Sequence, residues 1–369
     1  MPTTSGAAPS PMRARATSAL LLLVAACAPL ATRRAIAEWE PTQAVLVAYP
    51  FRLPDALLQA LAGEARLVVL VGNVHAEASA RRHLARLAIG PELTQYVVTT
   101  VQTPWTRDYG PIWLDLGAGR RALADCDYIE TPIRAADAPP PRLGETLRYP
   151  GRSPGDDRTN VELAHALGWQ REAVGAFVPG GNFLVDGQGT AFCTRLLIDE
   201  NLTRCDEETL RRLLRDQLGI TRLVVLENTE AVGIQHIDCW MKVLDAETLL
   251  VKRVPAGHFE HARIERNVAH LAGLRAPTGN LYRIVRIDCP PFARSAEPGR
   301  EADAGQVPAY TNSLIVNGTV FVPLFAGPGD AMALQTYRSA LPGHRVLGFR
   351  YAGWQPFDAL HCRTRGIPR

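Results

Sequence analysis

The sequence lacks several features that would assign a function class directly. Its 40 basic residues are scattered and nearly balanced by 37 acidic ones, so the net charge is +3 and no basic stripe suggests a nucleic acid partner. None of the seven cysteines forms a CxxC motif, and His258 and His261 have no third ligand nearby, so no metal site is predicted. No linker divides the 369 residues, 47% of which are hydrophobic. These absences indicate an ordinary globular protein without an evident internal division.

The N-terminal segment is predicted to direct export rather than to join the fold. A basic stretch precedes the apolar run Ala19–Ala26, which is too short to span a bilayer but suits a signal peptide. Val24-Ala25-Ala26-Cys27 resembles a bacterial lipobox, in which Cys27 would be acylated and attach the protein to a membrane. Ala35-Ile36-Ala37 offers an ordinary cleavage site instead, and a fortuitous apolar stretch is the third alternative. We therefore expect residues 1–37 to be a signal peptide or lipoprotein leader of a periplasmic, outer-membrane or secreted protein.

Export would permit disulfide bonds, but the cysteines predict no clear framework. Cys205 lies in a polar segment and could pair with another cysteine; the sequence leaves this open. Four cysteines in apolar, strand-like runs are interpreted as small buried side chains, namely Cys126, Cys193, Cys239 and Cys289.

A hairpin followed by a helix and another strand recurs about five times along the chain. The clearest turns are Asp186-Gly187 and Asn317-Gly318, each flanked by apolar strands. Repetition of this module predicts a closed, pseudo-symmetric α/β assembly. Two polar segments, 138–155 and 290–308, are expected to be surface loops near the site. The predicted hairpins span 112–126, 183–192, 240–251 and 313–322, and the predicted helices span 57–65, 161–167, 207–218, 265–274 and 331–341.

A distinctive polar residue stands immediately before the first strand of each hairpin. In a rotational set of modules, equivalent positions point toward one axis, so we expect these side chains to converge. Cys362, near the C-terminus, adds a thiol that can act as a nucleophile when a histidine is close in space. Paired carboxylates match the planar fork of a guanidinium group, so the set predicts hydrolysis at an arginine-like carbon. The polar residues that precede the hairpins are Asp108, Asn182, His236 with Asp238, and Asn312.

Each of these residues alone has an ordinary structural interpretation. Asp108 is a turn former before Gly-Pro, or forms a surface ion pair with Arg107. His236 alone would be a hydrogen-bonded structural histidine, and Cys362 an inert buried thiol. The matching positions of all of them favour catalysis.

Six short motifs follow one another between Glu38 and Thr364. They are Glu38-Trp39-Glu40-Pro41, Trp105-Thr106-Arg107-Asp108-Tyr109-Gly110-Pro111, Gly180-Gly181-Asn182-Phe183, His236-Ile237-Asp238, Tyr310-Thr311-Asn312-Ser313 and His361-Cys362. In kind and order they resemble the family that joins Porphyromonas-type peptidyl-arginine deiminases and agmatine deiminases. The resemblance implies a pentein, a five-bladed α/β propeller, over residues 38–369.

The resemblance also implies a reaction, in which a guanidinium group and water give a ureido group and ammonia through a covalent cysteine intermediate. Asp108 and Asp238 would bind the guanidinium nitrogens, Cys362 would attack the central carbon, and His236 would transfer protons. Asn312 would orient Cys362 or the substrate. No metal or organic cofactor is required. Further substrate contacts are expected from Trp105, Gly181, Asn182 and Arg152.

Details of the motifs favour the peptidyl-arginine branch of the family. Asp358–Thr364 is similar to that branch, and Pro179 stands where agmatine deiminases usually have a glutamate that would partner agmatine's amine. In that branch, a pair of arginines in the proline-rich loop is expected to hold the terminal carboxylate of the substrate. This chain departs from the pattern, because it has Arg152 with Arg148 just upstream and not the expected pair. We expect deimination of peptidyl or C-terminal arginine, with agmatine or another small guanidine as the alternative. A binding lipoprotein without turnover and an amidinotransferase are further alternatives.

Overall fold

The computed structural model describes residues 1–2, 33–128, 134–135, 139, 142–143, 154–230, 232–292 and 305–369. The predicted lipidation at Cys27 and the predicted substrate contact of Arg152 lie outside these residues, as do most of the leader and of the two predicted surface loops. Within the described part of the chain, no helix combines the length and apolarity needed to cross a membrane.

The helices and strands alternate along the chain in the order that the repeat predicts. The strands are β1 Arg34–Ala35, β2 Thr42–Ala48, β3 Arg66–Val71, β4 Thr94–Val98, β5 Ile112–Asp115, β6 Arg121–Asp127, β7 Arg134–Ala135, β8 Gln170–Phe177, β9 Leu184–Val185, β10 Thr190–Thr194, β11 Arg222–Leu226, β12 Val232–Gly233, β13 Met241–Val243, β14 Thr248–Arg253, β15 Arg283–Asp288, β16 Leu314–Val316, β17 Thr319–Leu324, β18 Arg345–Arg350 and β19 Arg365–Pro368. The helices are α1 Asp55–Ala62, α2 Val74–Arg86, α3 Thr106–Tyr109, α4 Pro154–Asp157, α5 Thr159–Leu167, α6 Leu196–Asn201, α7 Glu207–Leu218, α8 His261–Ala272 and α9 Asp330–Ala340. Short 3-10 turns span Pro91–Leu93, Gly180–Asn182 and Ile237–Cys239.

Five small mixed sheets correspond to the five modules. In four of them an antiparallel hairpin is joined to a parallel third strand that follows a helix; these are β5-β6-β8, β9-β10-β11, β13-β14-β15 and β16-β17-β18. In the fifth, β2 pairs in parallel with β3, β3 with β4, and the antiparallel partner of β2 is the C-terminal strand β19. The two ends of the compact unit therefore complete one module together. The predicted five-module α/β fold is confirmed.

Local sequence explains where the helices begin and end, as α7 shows. Asp206 caps its N-terminus by accepting a hydrogen bond from the Thr209 amide at 2.8 Å. Gly219 ends it in the left-handed conformation, with φ +70°. The buried face consists of leucines at four-residue spacing, namely Leu210, Leu214 and Leu218.

The inner strands of the modules surround a central cavity of about 60 Å³. Residues of β5, β9, β13 and β19 line it, which is the rotational arrangement that the repeat implies. Residues 33–41, here called the N-terminal strap, reach the same cavity. In this strap β1 pairs with β5, the Ile36 amide donates to the Trp113 carbonyl at 2.8 Å, and Glu38 lines the cavity. Residues 33–37, upstream of the expected leader boundary, thus belong to the compact unit that begins at Thr32.

Candidate active site

Residues that are distant in sequence meet where the inner strands begin. Asp108 lies in α3, Asp238 in the turn Ile237–Cys239, and Cys362 three residues before β19. The Cys362 Sγ lies 3.8 Å from Asp238 Oδ2, and all three side chains are buried. The structure therefore brings together the thiol and the carboxylates that the module positions predict.

Asn312 makes hydrogen bonds to both the side chain and the backbone amide of Cys362. Its Nδ2 donates to Cys362 Sγ at 3.2 Å, while its Oδ1 accepts from the backbone amides of His361 at 2.9 Å and Cys362 at 3.3 Å. Because both ends of the amide are bonded, the position of the sulfur is fixed relative to Asn312. This geometry suits the orienting role expected from the sequence.

Gly181 packs directly against the candidate reactive groups. Its amide donates to Asp108 Oδ1 at 2.8 Å. A Cβ at Gly181 would lie 2.6 Å from Asp108 Oδ1, 2.8 Å from His236 Nδ1 and 3.1 Å from Asp238 Oδ2. Two carboxylates and an imidazole therefore converge on Gly181, where a side chain would collide with Asp108 and His236. Paired carboxylates match the planar fork of a guanidinium group.

His236 is buried but makes no hydrogen bond through its ring. Neither ring nitrogen has a hydrogen-bond partner among the described residues, although Nδ1 lies 3.5 Å from Asp108 Oδ1. The preceding residue, Gln235, has φ +61°, which is uncommon for a residue with a side chain. A buried imidazole with two unsatisfied nitrogens can exchange protons with a bound ligand.

His361, in contrast, is hydrogen-bonded through both ring nitrogens. Its Nδ1 lies 2.7 Å from Asp238 Oδ2 and its Nε2 lies 2.7 Å from Glu38 Oε2. Neither His361 nor Glu38 was assigned a role from the sequence. The signal was present, because both residues belong to the motifs that carry the family resemblance.

Glu38 receives further donors from three elements of the fold. Its Oε1 lies 2.5 Å from Lys242 Nζ and accepts from the Ile315 amide at 3.1 Å. Its Oε2 lies 2.7 Å from Arg107 Nη2. Burial alone would raise the pKa of Glu38, but Lys242, His361 and Arg107 outweigh it and hold the pKa well below its usual range. Arg107 is therefore buried against Glu38, and the surface ion pair with Asp108 weighed from the sequence is wrong.

The pKa values of the two carboxylates beside Gly181, those of Asp108 and Asp238, are shifted in opposite directions. Burial raises the pKa of Asp108, and the neighbouring Asp238 adds to the effect. Burial also acts on Asp238, but the hydrogen bond and charge of His361 outweigh it, so the pKa of Asp238 is lowered. Neighbouring groups with opposed shifts are typical of sites that carry out acid–base chemistry.

The surroundings of the Cys362 thiol oppose its ionisation. Burial raises the pKa of Cys362 well above its usual value, and the negative charges of Asp238, Asp358 and Asp108 raise it further. A cation bound between the carboxylates would offset that charge.

The remaining predicted site residues are Asn182, Trp105 and Arg152, the last of which lies outside the described residues. Asn182 Oδ1 accepts from Thr194 N and Oγ1, both at 3.0 Å, and from Ile237 N at 3.2 Å, so this amide ties two turns together. Its Nδ2 has no partner within the described part of the chain. Trp105 is half-buried at the start of α3. Substrate contact by Asn182, Trp105 and Arg152 stays a prediction.

Neither a metal cluster nor a disulfide is found among the residues that the structure describes. No group of three or more His, Cys, Asp or Glu side chains there could hold a metal ion. His258 Nε2 and His261 Nδ1 lie 3.1 and 3.2 Å from backbone carbonyls. Cys205 carries a free thiol, and so do the buried cysteines Cys126, Cys193, Cys239, Cys289 and Cys362.

Comparison with known proteins identifies the family. The sequence profile of the Porphyromonas-type peptidyl-arginine deiminases matches residues 34–368. Agmatine deiminase of Ectopseudomonas mendocina is 25% identical over 347 residues, covering 84% of this chain and 88% of its own, and that of Stutzerimonas stutzeri is 26% identical over 341 residues with the same coverage.

Solved structures share the fold. Agmatine deiminase of Enterococcus faecalis has a TM-score of 0.74 at 18% identity, over 92% of this chain and 96% of its own. A proposed arginine deiminase from Porphyromonas gingivalis has a TM-score of 0.72 at 23% identity, over 91% and 98% of the two chains. With its pentein fold, the chain belongs to the family of Porphyromonas-type peptidyl-arginine deiminases and agmatine deiminases, hydrolases of guanidino C–N bonds.

Proposed function

We propose that the chain hydrolyses the guanidinium group of agmatine or a similar small guanidine to a ureido group and ammonia, with Cys362 as the nucleophile. The observation that carries the proposal is the convergence of Asp108, Asp238 and His236 on Gly181, with the Cys362 Sγ 3.8 Å from Asp238 Oδ2. The agmatine deiminases that match 84% of the chain support a small substrate over the peptide that the motifs favour.

Asp108 and Asp238 hold the guanidinium plane by charge-assisted hydrogen bonds, each worth about 1.5–3 kcal/mol. Neutral His236 accepts the proton of the Cys362 thiol, and the resulting thiolate attacks the central carbon and forms a C–S bond. His236, protonated, gives its proton to one amino group, and ammonia leaves as the C–N bond breaks. Neutral His236 then accepts a proton from the attacking water. The C–S bond breaks, the thiolate is restored, and the last proton leaves with ammonia as ammonium.

Substrate binding is coupled to activation of the thiol. Because Asp238 and Asp108 raise the pKa of Cys362, a cation that neutralises them lowers it again. Thiolate formation therefore depends partly on bound substrate. This coupling directs the nucleophile to cationic substrates.

Arginine in a peptide or at a C-terminus is the second candidate substrate. Pro179 directly precedes the turn Gly180–Asn182, where agmatine deiminases usually carry a glutamate. Without that carboxylate, the chain lacks one expected partner for the free amine of agmatine. This observation favours a substrate whose far end is not a primary amine.

Two measurements test the proposal. Ammonia release and ureido colour are followed with agmatine, free arginine and an arginine-terminated peptide, and the highest kcat/KM with agmatine supports the first candidate. In the same assays Cys362→Ala is expected to abolish turnover while agmatine binding persists in calorimetry. Turnover by Cys362→Ala would overturn the mechanism, and a preference for the peptide would replace the first candidate with the second.

A further inference from the structure

The arrangement of His361 between two carboxylates determines its protonation. A neutral imidazole has one N–H donor and one nitrogen lone pair. Both ring nitrogens of His361 lie 2.7 Å from carboxylate oxygens, of Asp238 on one side and Glu38 on the other. With only one proton, a lone pair would face an oxygen at hydrogen-bond distance. Both nitrogens therefore carry a proton, and the ring is an imidazolium.

A protonated carboxylate on either side would be the other way to satisfy the ring. At Asp238 the hydrogen bond and charge of His361 outweigh burial and lower the pKa, and at Glu38 the surroundings exclude a neutral carboxyl group. Lys242 Nζ lies 2.5 Å from one carboxylate oxygen, and Arg107 Nη2 lies 2.7 Å from the other. Two buried cations at these distances require a negative partner, since an unpaired buried charge is costly. Glu38 is therefore ionised, and it accepts rather than donates at His361.

Through its other ring nitrogen, Nδ1, the imidazolium donates to Asp238, which lies beside the nucleophile. Asp238 Oδ2, which accepts from His361 Nδ1, also lies 3.8 Å from Cys362 Sγ. The Asp238 carboxylate is only about 1% exposed, so His361 replaces water as its main donor. A chain of contacts thus runs from the N-terminal strap to the nucleophile through Glu38, His361, Asp238 and Cys362.

We propose that Glu38 is a positioning residue for the deimination, which keeps His361 doubly protonated so that Asp238 stays ionised and correctly oriented beside Cys362. This inference rests on the proposed function for its catalytic consequence, but its statement about protonation does not. The strap that carries Glu38 is therefore part of the catalytic unit.

Glu38→Gln is the informative substitution because it keeps the shape of the side chain. The amide Nε2 would donate to His361 Nε2, which would become an acceptor, while His361 Nδ1 would still donate to Asp238. The ring would lose its charge without losing its place. With a neutral neighbour, burial would raise the pKa of Asp238, so less of this carboxylate would be ionised to bind the guanidinium.

Nitrogen-15 NMR of histidine-labelled protein reads the protonation directly, with the His361 signal assigned by its loss in a His361→Phe variant. In the wild type at pH 7 we expect an imidazolium pattern. In Glu38→Gln we expect a neutral ring protonated at Nδ1. We also expect kcat to fall about 10- to 100-fold, KM to change less, and the acid limb of the kcat/KM profile to move to higher pH.

Glu40→Gln is the matched control on the same strap. Glu40 pairs with Arg34 at 2.6 Å and accepts from the Ala37 amide at 2.8 Å, so its loss loosens the strap without touching His361. Its NMR pattern and pH profile should match the wild type. An equal fall of kcat and an equal shift of the profile in Glu40→Gln would overturn the inference, because both effects would then follow from strap disorder.

The outcomes separate the inference from the proposed function. A neutral His361 in the wild type at pH 7 overturns the inference, and this measurement decides it alone if Glu38→Gln does not fold. An unchanged imidazolium and unchanged kcat in Glu38→Gln also overturn it. A wild type that is inactive on every guanidine but contains the imidazolium overturns only the proposed function and supports the protonation.

Discussion

Two buried histidines lie beside the same pair of aspartates, and they differ in every hydrogen bond. His361 contacts a carboxylate oxygen through each ring nitrogen, both at 2.7 Å. His236 has no hydrogen-bond partner for either nitrogen among the described residues, and its contact with Asp108 is 3.5 Å long. A buried polar group without a partner costs free energy. The comparison indicates that one histidine stabilises a fixed charge, while the other is kept unsatisfied for a ligand.

Replacing the unsatisfied histidine tests the first half of this comparison. In His236→Phe, kcat is expected to fall about 10²- to 10⁴-fold, since a general acid and base is lost. The free energy of unfolding should change by less than about 1 kcal/mol, because no hydrogen bond within the described residues is broken. Ammonia release and urea denaturation measure the two quantities. A large loss of stability with near-normal turnover would show that His236 is structural.

The matched substitution at the other histidine should give the opposite pattern. His361→Phe leaves Glu38 and Asp238 without their common partner. Breaking a buried ion pair from one side costs about 3–5 kcal/mol, so the midpoint of urea denaturation should fall sharply. His361→Phe with wild-type stability would contradict the charge assignment, and His236→Phe serves as its control for ring size and burial.

Much of this site follows from the sequence because the modules repeat. The polar residues before the inner strands occupy equivalent positions in their modules, so their convergence could be inferred before any distance was known. The helix α7 was predicted with its observed bounds, since Asp206 and Gly219 mark its ends and buried leucines mark its face.

Other features depend on contacts that local patterns do not contain. The pairing of β19 with β2 joins the two ends of the compact unit, and neither strand carries a sign of the other. The helix α2 was missed because only Ala80 and Leu84 of its residues are buried, which leaves a weak apolar spacing. The roles of Glu38 and His361 were missed for a related reason, since a charge partner is defined only by the folded chain.

The smallest expected effect is on how the free energy of unfolding depends on pH in the acid range, and it concerns the carboxylate that pairs with His361. The pKa of Glu38 is held well below its ordinary value of 4.5, so its ionisation stabilises the folded state above about pH 4.5. As pH falls below that value, the unfolded chain takes up the proton first and this stability is lost progressively. Each proton taken up only on unfolding contributes about 1.4 kcal/mol per pH unit. The free energy of unfolding of the wild type should therefore fall more steeply between pH 5 and 3 than that of the double variant Glu38→Gln/His361→Phe, in which neither member of the pair can take up a proton. Urea denaturation across this range measures both slopes, and equal slopes would mean that the partners of Glu38 do not hold its charge in the fold.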